Sequence, residues 1–340
     1  MQLFIITQVV DLDDSNLSFF HRWLEKLSAR ADLVVVANRV GRYNLPANVR
    51  VFALGGKGVI GKTFSLWGYA RKYLRESTGV LAHMCPEYVL AVWPCAKIHR
   101  KNILLWYTHK DARWQLRLAE KLVDKIFTAS RESFRLPSKK LEATGHGIDT
   151  ELFAPAGEPD VRRLLTVGRI TPSKDLETMI LAVKSLRIDG HNVIFDIVGA
   201  PYLNEDRIYF QSLEELAQNS GLSGVVKFLG PIPSSQLPDI YRGHGIFLHA
   251  SKTGSLDKAM LEAMASGLYV VSSSEAFRFL PELYRYHEND AANLAAKIGE
   301  IIATKPILNL REIVSREHNL DSLINRISEY FLSKYDRTEK

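Results

Sequence analysis

The sequence predicts an α/β protein in which parallel, doubly wound sheets are covered by helices on both faces. Short β-branched runs alternate with amphipathic helical patterns along the chain, and this alternation is typical of parallel sheets. The 340 residues allow two domains, because about 150 residues are enough to bury a core. The alternation is also interrupted once, near the middle of the chain. We therefore expect two domains of the same class.

Apolar runs predict the strands, and 3.6-residue periodicity predicts the helices between them. Clear helical patterns cover, for example, 17–30 and 176–187. The predicted strands of the first half are 3–9, 33–38, 49–54, 79–84, 102–108, 125–130 and 141–147, and those of the second half are 164–169, 193–199, 225–230, 245–251 and 269–274.

The interruption is the segment IDTELFAPAGEPD (148–160), which carries two prolines, a glycine and several acids. Such a composition is typical of a linker, and we interpret it as a hinge. The predicted domains are 1–155 and 156–318. The amphipathic pattern that follows predicts a C-terminal helix within 319–340, which could cross back to the first domain.

Bulk properties narrow the function classes. The formal net charge of +6 favours an anionic partner, but charge alone does not choose among a nucleotide, a nucleic acid and an acidic membrane surface. Cys85 and Cys95 have the spacing of neither a zinc site nor a redox pair, so we expect free thiols in a reducing compartment. No apolar run approaches the ~20 residues of a membrane span, and the amino terminus does not resemble a signal peptide. These features predict a cytoplasmic protein.

One glycine-rich segment matches a phosphate-binding pattern. Residues 56–63, GKGVIGKT, satisfy G-x-x-x-x-G-K-[ST], with a predicted strand before them and a helical pattern over 62–76. A phosphate-loop enzyme also needs an acidic Mg²⁺ ligand at the end of another strand. No predicted strand ends in Asp, since Asp196 lies inside one and Asp124 precedes another. A phosphate-loop kinase or NTPase remains an alternative. The acids of DLD (11–13) are those of a solvated turn, so no metal site is predicted.

The second half contains an ordered set of phosphate-binding features. LLTVGRITPSKDLETMI (164–180) places Arg169 and Lys174 beside a helix start, which suits a diphosphate. VIFDIVGA (193–200) and VVKFLGPIPSSQLPDIY (225–241) follow. GIFLHASKTGSLDKAMLEAMASGLYVVSSS (245–274) then presents the amides of residues 254–256 at another helix start, a second anion-binding nest.

This ordered set resembles the donor-binding domain of retaining GT-B glycosyltransferases, specifically glycosyltransferase family 4, which share VGR...K, IVG, F-x-G and LEAMA-x-G in this order. The resemblance covers 164–274 and extends more loosely over the first half. It implies two Rossmann-like domains facing a central cleft. It also implies metal-independent transfer of a sugar, with retention, from a UDP- or GDP-sugar to a hydroxyl acceptor such as a glycolipid or polysaccharide precursor. No cofactor is implied.

The resemblance implies specific site residues. Arg169 and Lys174 would neutralise the diphosphate, and His109 would lie near the donor sugar, so these three are the catalytic candidates. Glu262 matches the second Glu of the family's paired-Glu pattern, which binds the ribose. The first Glu falls on Gly254, so a non-catalytic nucleotide-sugar binder is a second alternative, and Asp257 is either a substitute or a helix cap. The predicted donor-binding residues are Gly168, Arg169, Lys174, Gly199, Phe228, Leu229, Gly254, Ser255, Leu256, Asp257 and Glu262.

On the acceptor side we expect His83, Glu87, Asp11 and Asn16, which follow predicted strands of the first half. The pattern over 62–76 combines cations with aromatic residues. This helix could contact an anionic membrane peripherally, or it could be a surface helix whose apolar side covers the sheet. Nucleic-acid binding has no motif behind it and is not expected.

Overall fold

The computed structural model describes residues 1–14, 16–109, 112–251, 256–307 and 309–335. The strands are β1 Gln2–Val10, β2 Asp32–Val40, β3 Val49–Ala53, β4 Gly79–His83, β5 Asn102–Trp106, β6 Lys125–Thr128, β7 Leu141–Ala143, β8 Arg163–Val167, β9 Ile194–Val198, β10 Val226–Gly230, β11 Ile246–His249 and β12 Tyr269–Ser272. The helices are α1 Phe19–Ser28, α2 Gly58–Tyr73, α3 Pro86–Ile98, α4 Trp114–Leu122, α5 Leu176–Ile188, α6 Asn204–Asn219, α7 Leu237–Arg242, α8 Lys258–Ala265, α9 Ala291–Thr304, α10 Leu310–Glu317 and α11 Leu320–Tyr335.

The strands form two parallel sheets, so the prediction of a doubly wound α/β fold is confirmed. The first sheet has the order β3-β2-β1-β4-β5-β6-β7, and the second has the order β10-β9-β8-β11-β12. In each sheet the strand order reverses beside the first strand, between β1 and β4 and between β8 and β11. Ligands of such sheets bind at the carboxyl ends of the strands beside this reversal.

The first sheet shows why parallel strands read as continuous apolar runs. Leu3 and Ile5 of β1 belong to the core on the side of α1 and α11, whereas Phe4 and Ile6 belong to the core on the side of α2, α3 and α4. Because successive side chains of a strand point to opposite faces, both faces need apolar residues. The C-terminal helix α11 therefore helps to cover this sheet.

The chain divides into two compact units. One holds Met1–Gly147 together with the chain from His318 onward, and the other holds Ile148–Glu317. The division thus lies before the predicted boundary at residue 155. Ile148 and Phe153 are buried in the core of the second unit. The guanidinium of Arg311 also donates to the carbonyl oxygens of Thr150 and Phe153, so the first part of the expected hinge is packed within that unit.

Two further findings concern helices. The helix predicted over 62–76 begins earlier, at Gly58. Among the helices that the structure describes, none combines the length and the apolarity needed to cross a bilayer.

Candidate functional site: the carboxyl edge of the second sheet

Two glycine turns form the floor of the candidate site. Gly168 follows β8 with φ of 155°, and Gly199 follows β9 with φ of 141°. A Cβ on Gly199 would lie 1.8 Å from the carbonyl oxygen of Gly168, so the two turns touch backbone to backbone. Only glycine permits this approach. The predicted residues Gly168 and Gly199 are thereby brought together.

Lys174 lies over this floor. A Cβ on Gly168 would be 3.7 Å from Cε of Lys174, and the ammonium group of Lys174 forms an ion pair with the carboxylate of Asp257. Lys174 and Asp257 keep 20% and 21% of their side chains exposed, so a ligand can reach both. An accessible cation above a glycine turn is suited to binding phosphate oxygens.

Asp257 is the N-cap of α8. Its Oδ1 accepts a hydrogen bond from the amide of Ala259 at 3.3 Å, and its Oδ2 faces Lys174 and His249. Burial would raise the pKa of Asp257, but the charge of Lys174 and the hydrogen bond from His249 lower it well below its ordinary value. Asp257 is thus an anion held by both a helix start and a cation. Of the two roles left open by the sequence, the structure shows the helix cap.

Arg169 has a different environment from Lys174. It is exposed, and its charge contributes to the low pKa of Asp206, which is held down mainly by the backbone amide of Leu203. Asp206 lies in the first turn of α6. The amide of Leu176, the first residue of α5, donates to the hydroxyl oxygen of Tyr209 at 3.1 Å. The cationic side chains, rather than this helix amide, are therefore the groups open to an anion at this turn.

Glu262 is buried within the second unit, with 5% of its surface exposed. One oxygen forms an ion pair with Lys258, and the other accepts a hydrogen bond from the hydroxyl of Tyr241 at 3.2 Å. Leu256, a predicted donor-side residue that precedes the N-cap of α8, is also buried, with 6% of its surface exposed. A ribose hydroxyl would therefore have to share Glu262 with these two partners.

The remaining donor-side predictions are less uniform. Phe228 packs edge to face against Phe210, with ring centroids 5.1 Å apart, whereas Leu229 is 41% exposed. Phe228 thus has a packing role whatever else it does. Gly254 and Ser255 lie outside the described residues.

His83, expected on the acceptor side, is completely buried at the carboxyl end of β4. Its ring stacks on Phe20, with centroids 3.9 Å apart, and on Trp106 at 5.3 Å. Its Nδ1 lies 3.1 Å from Oγ1 of Thr7. Burial, with a smaller contribution from the neighbouring His146, lowers the pKa of His83 to about 3. The interpretation of His83 as an acceptor group is corrected, because a neutral ring enclosed by aromatic side chains has a packing role.

The other first-unit predictions lie at or near strand ends. His109 is exposed beyond β5, and Glu87 is exposed in the first turn of α3. Asp11 follows β1 directly, and its Oδ1 accepts a hydrogen bond from the amide of Asp13 at 3.0 Å. Asn16 is exposed, and its backbone N–H donates to Oδ1 of Asp14. Their roles stay predictions.

The acids near Asp11 have cationic partners. Asp13 pairs with Arg42, and Asp14 pairs with Arg39. Among the described residues, no three His, Cys, Asp or Glu side chains come together in a group that could hold a metal ion. The acidic segment after β1 is therefore tied to the end of β2.

The phosphate-loop pattern does not form a phosphate cradle. α2 begins at Gly58, so Lys62 and Thr63 lie inside the helix rather than at its start. The hydroxyl of Thr63 donates to the carbonyl oxygen of Val59 at 2.9 Å, a bond within the helix. The hydroxyl is thereby used internally, which disfavours the NTPase alternative.

His249 is a further polar residue of this edge, and the sequence interpretation did not include it. It ends β11, beside Ser272 at the end of β12, and is 3% exposed. The signal was available, because polar residues at the carboxyl ends of parallel strands were the criterion applied to His83 and His109.

A comparison with protein families identifies the second unit. Residues 149–317 match the family of glycosyl transferases group 1. Residues 149–317 therefore belong to that family. The match coincides with the unit that carries the two glycine turns, Lys174 and Asp257.

Curated relatives of the chain are matched over short parts of their length. The chain is 30% identical over 149 residues to a D-inositol 3-phosphate glycosyltransferase of Kribbella flavida. This alignment covers 40% of this chain and 35% of that protein. It is 27% identical over 158 residues to a GDP-mannose-dependent alpha-(1-6)-phosphatidylinositol monomannoside mannosyltransferase of Mycobacterium tuberculosis, covering 41% and 39%. The aligned parts thus span well under half of these relatives.

The comparison with solved structures covers nearly the whole chain. The crystal structure of Anabaena Alr3699/HepE in complex with UDP-glucose is similar with a TM-score of 0.76 at 17% identity, over 98% of this chain and 100% of that chain. At this identity the likeness concerns the fold. Two parallel sheets with flanking helices place the chain in the GT-B class that the sequence predicted.

Proposed function

We propose that this protein is a retaining glycosyltransferase that moves a sugar from a UDP- or GDP-sugar to a hydroxyl acceptor. The observation that carries the proposal is Lys174, which lies accessibly above the joined turns of Gly168 and Gly199 in the unit that matches the family. The named donors of the similar proteins, UDP-glucose and GDP-mannose, support a nucleotide sugar. Family 4 is the proposed subgroup.

In the proposed reaction, the bond from the anomeric carbon to the diphosphate breaks, and a bond to the acceptor oxygen forms on the same face. The acceptor proton passes to the leaving phosphate. Lys174 and Arg169 neutralise the charge that grows on the departing nucleoside diphosphate, which lowers the barrier without a metal ion. His109 is proposed to assist transfer, and Glu262 is proposed to bind the ribose.

The donor must compete for Lys174, because this cation is paired with Asp257 in the structure. A diphosphate carries more negative charge than one carboxylate and can accept several hydrogen bonds, so the exchange is favourable. Lys174 can also remain near Asp257 while it binds the phosphate.

The test is incubation with UDP- and GDP-sugars and lipid or saccharide acceptors, with diphosphate release and acceptor mass as readouts. We expect Lys174→Ala to lower kcat/KM by about 10²- to 10³-fold. Lys184→Ala, in α5 of the same unit, is the matched control. Activity should persist in the presence of a chelator, and the product anomer should have the configuration of the donor.

The two alternatives give different results in the same assay. A phosphate-loop NTPase loses nucleotide turnover with Lys62→Ala and keeps it with Lys174→Ala. A non-catalytic binder retains the nucleotide sugar intact and releases no diphosphate. His109→Ala tests the remaining catalytic candidate, since wild-type turnover in that variant would remove it from the mechanism.

A glycolipid acceptor is a finer proposal, and the surface of α2 supports it. Val59, Ile60 and Phe64 are 82%, 73% and 64% exposed. Lys57 is exposed beside them, and Lys62 is half-buried. Apolar side chains beside cations suit the surface of an anionic bilayer. In the same helix Leu66 and Tyr73 are buried, whereas Trp67 is 38% exposed.

Vesicle pelleting tests this contact. Ile60→Ser should weaken binding to vesicles that contain anionic lipid, whereas Ile188→Ser, which alters an isoleucine of the second unit that is 75% exposed, should not. Equal pelleting with neutral and anionic vesicles would eliminate the proposed contact. The structure of α2 would then be explained by its packing on the sheet alone.

A further inference from the structure

A chain of hydrogen bonds leads from the end of β12 to Lys174. The amide of Ser274 donates to Oγ of Ser272 at 3.1 Å, and Oγ of Ser272 lies 2.9 Å from Nδ1 of His249. Nε2 of His249 lies 3.2 Å from Oδ2 of Asp257, the oxygen that also binds Lys174. We call Ser272, His249, Asp257 and Lys174 the Asp257 network.

The donor and acceptor chemistry determines the tautomer of His249. An ionised carboxylate only accepts hydrogen bonds, so Nε2 must carry the hydrogen that points at Asp257. Nδ1 of the neutral ring is then an acceptor, and the hydroxyl of Ser272 must donate to it. The hydroxyl oxygen accepts from Ser274 at the same time. Every group in the network therefore has one consistent role.

The surroundings keep His249 neutral. Burial lowers the pKa of His249, partly opposed by Asp257, and the charge of Lys174 lowers it further. The edge of the Phe277 ring lies against the imidazole, with centroids 5.3 Å apart. A neutral ring donates to Asp257 without cancelling the negative charge that attracts Lys174.

We propose that His249 and Ser272 are positioning residues of the donor site, which orient Asp257 so that Lys174 is held above the glycine turns, ready for the donor diphosphate. When Lys174 turns to the phosphate, Asp257 keeps two hydrogen bonds, one from His249 and one from the amide of Ala259. These bonds keep the carboxylate paired. An unpaired carboxylate would oppose donor binding. This inference rests on the proposed function for its reaction, but its geometry can be tested separately.

The first experiment compares variants in calorimetric binding of UDP and GDP and in turnover of the nucleotide sugar. We expect His249→Leu to weaken nucleotide binding and raise the donor KM about tenfold, with the acceptor KM unchanged. His249→Gln keeps an N–H donor and should recover most of the loss. Ser272→Ala should have an intermediate effect, and Ser272→Thr should resemble the wild type.

A double-mutant cycle separates positioning from packing. If His249 acts through Asp257 on Lys174, His249→Leu adds nothing in the Lys174→Ala background. Additive losses would overturn the proposal, as would equal losses in His249→Gln and His249→Leu. Thermal unfolding of each variant shows that folded protein is being compared.

The second experiment is independent of activity. Proton–nitrogen NMR of protein labelled in its ten histidines should show a neutral imidazole with its hydrogen on Nε2 that is assigned to His249 by its loss in His249→Gln, and this signal should shift in Ser272→Ala. An Nδ1–H or charged ring in the signal assigned to His249 would overturn the proposal. If no sugar is transferred but the cycle in nucleotide affinity is non-additive, the positioning role stands and the proposed reaction fails. If sugar is transferred but the cycle is additive, the proposed reaction stands and the positioning role fails.

Discussion

The two sheets place a histidine at the same topological position, and the two residues differ in role. His83 ends β4 and His249 ends β11, which are the strands beside the reversal of strand order in their sheets. His83 is enclosed by Phe20, Trp23 and Trp106, whereas His249 links Ser272 to Asp257. The same strand position thus gives a histidine packed among aromatic rings in one sheet and a histidine bonded to a carboxylate in the other, because different elements supply the neighbours.

The largest effect is expected from a substitution in the glycine turns at the carboxyl edge of the second sheet. Gly199→Ala places a methyl group 1.8 Å from the carbonyl oxygen of Gly168, and the clash is with backbone that cannot rotate away. We expect a loss of about 3–5 kcal/mol in the free energy of unfolding, measured by denaturant titration. Gly168→Ala has space for its methyl group and is the milder control. Equal losses in both variants would show that the unusual φ angle, rather than the contact, determines the cost.

The next largest effect is expected in the pH dependence of stability, to which the buried His83 contributes. Its pKa falls from 6.5 to about 3 on folding, so protonation favours the unfolded chain. The contribution of neutral His83 to the free energy of unfolding is fully present above about pH 6.5. It is lost as the pH falls toward about 3, by about 1.4 kcal/mol per pH unit. His83→Leu should flatten the slope of unfolding free energy against pH. An unchanged slope would mean that other groups produce it.

At neutral pH, His83→Leu should cost about 2 kcal/mol, because ring stacking and the bond to Thr7 are lost. Nucleotide affinity should stay at the wild-type value, whereas His249→Leu should change that affinity. Chemical unfolding and calorimetry of both variants check this. A higher KM for the acceptor in folded His83→Leu would restore His83 as a candidate acceptor-side residue.

The smallest effects are expected from removing the hydroxyl group that contacts each histidine. Thr7→Val removes the hydroxyl beside His83 and should cost about 1 kcal/mol of stability with no effect on nucleotide binding. Ser272→Ala is its counterpart beside His249 and should affect binding. Differential scanning calorimetry with and without UDP measures both. The comparison fails if the two variants respond alike to the nucleotide.

Most of the fold was predictable from local patterns. Each predicted strand is present, because burial on both faces demands continuous apolar runs that are visible in the sequence. The glycine turns after β8 and β9 and the cation Lys174 were also predictable, since each lies at a recognisable distance from a strand end. The start of α2 was predicted too late because GKGVIGKT was interpreted as a loop. In the structure the helix already begins at Gly58, inside this segment.

The sequence by itself determined the order of strands and helices, the fold class and the set of residues that follow the strands of the second sheet. These depend on periodicity and on near neighbours in the chain. Only the tertiary structure decided which of those residues meet. Lys174 follows β8 and Asp257 follows β11, 83 positions apart, and they pair because these two strands are adjacent in the sheet. The roles of His83 and His249 differ for the same reason, because distant elements supply their neighbours.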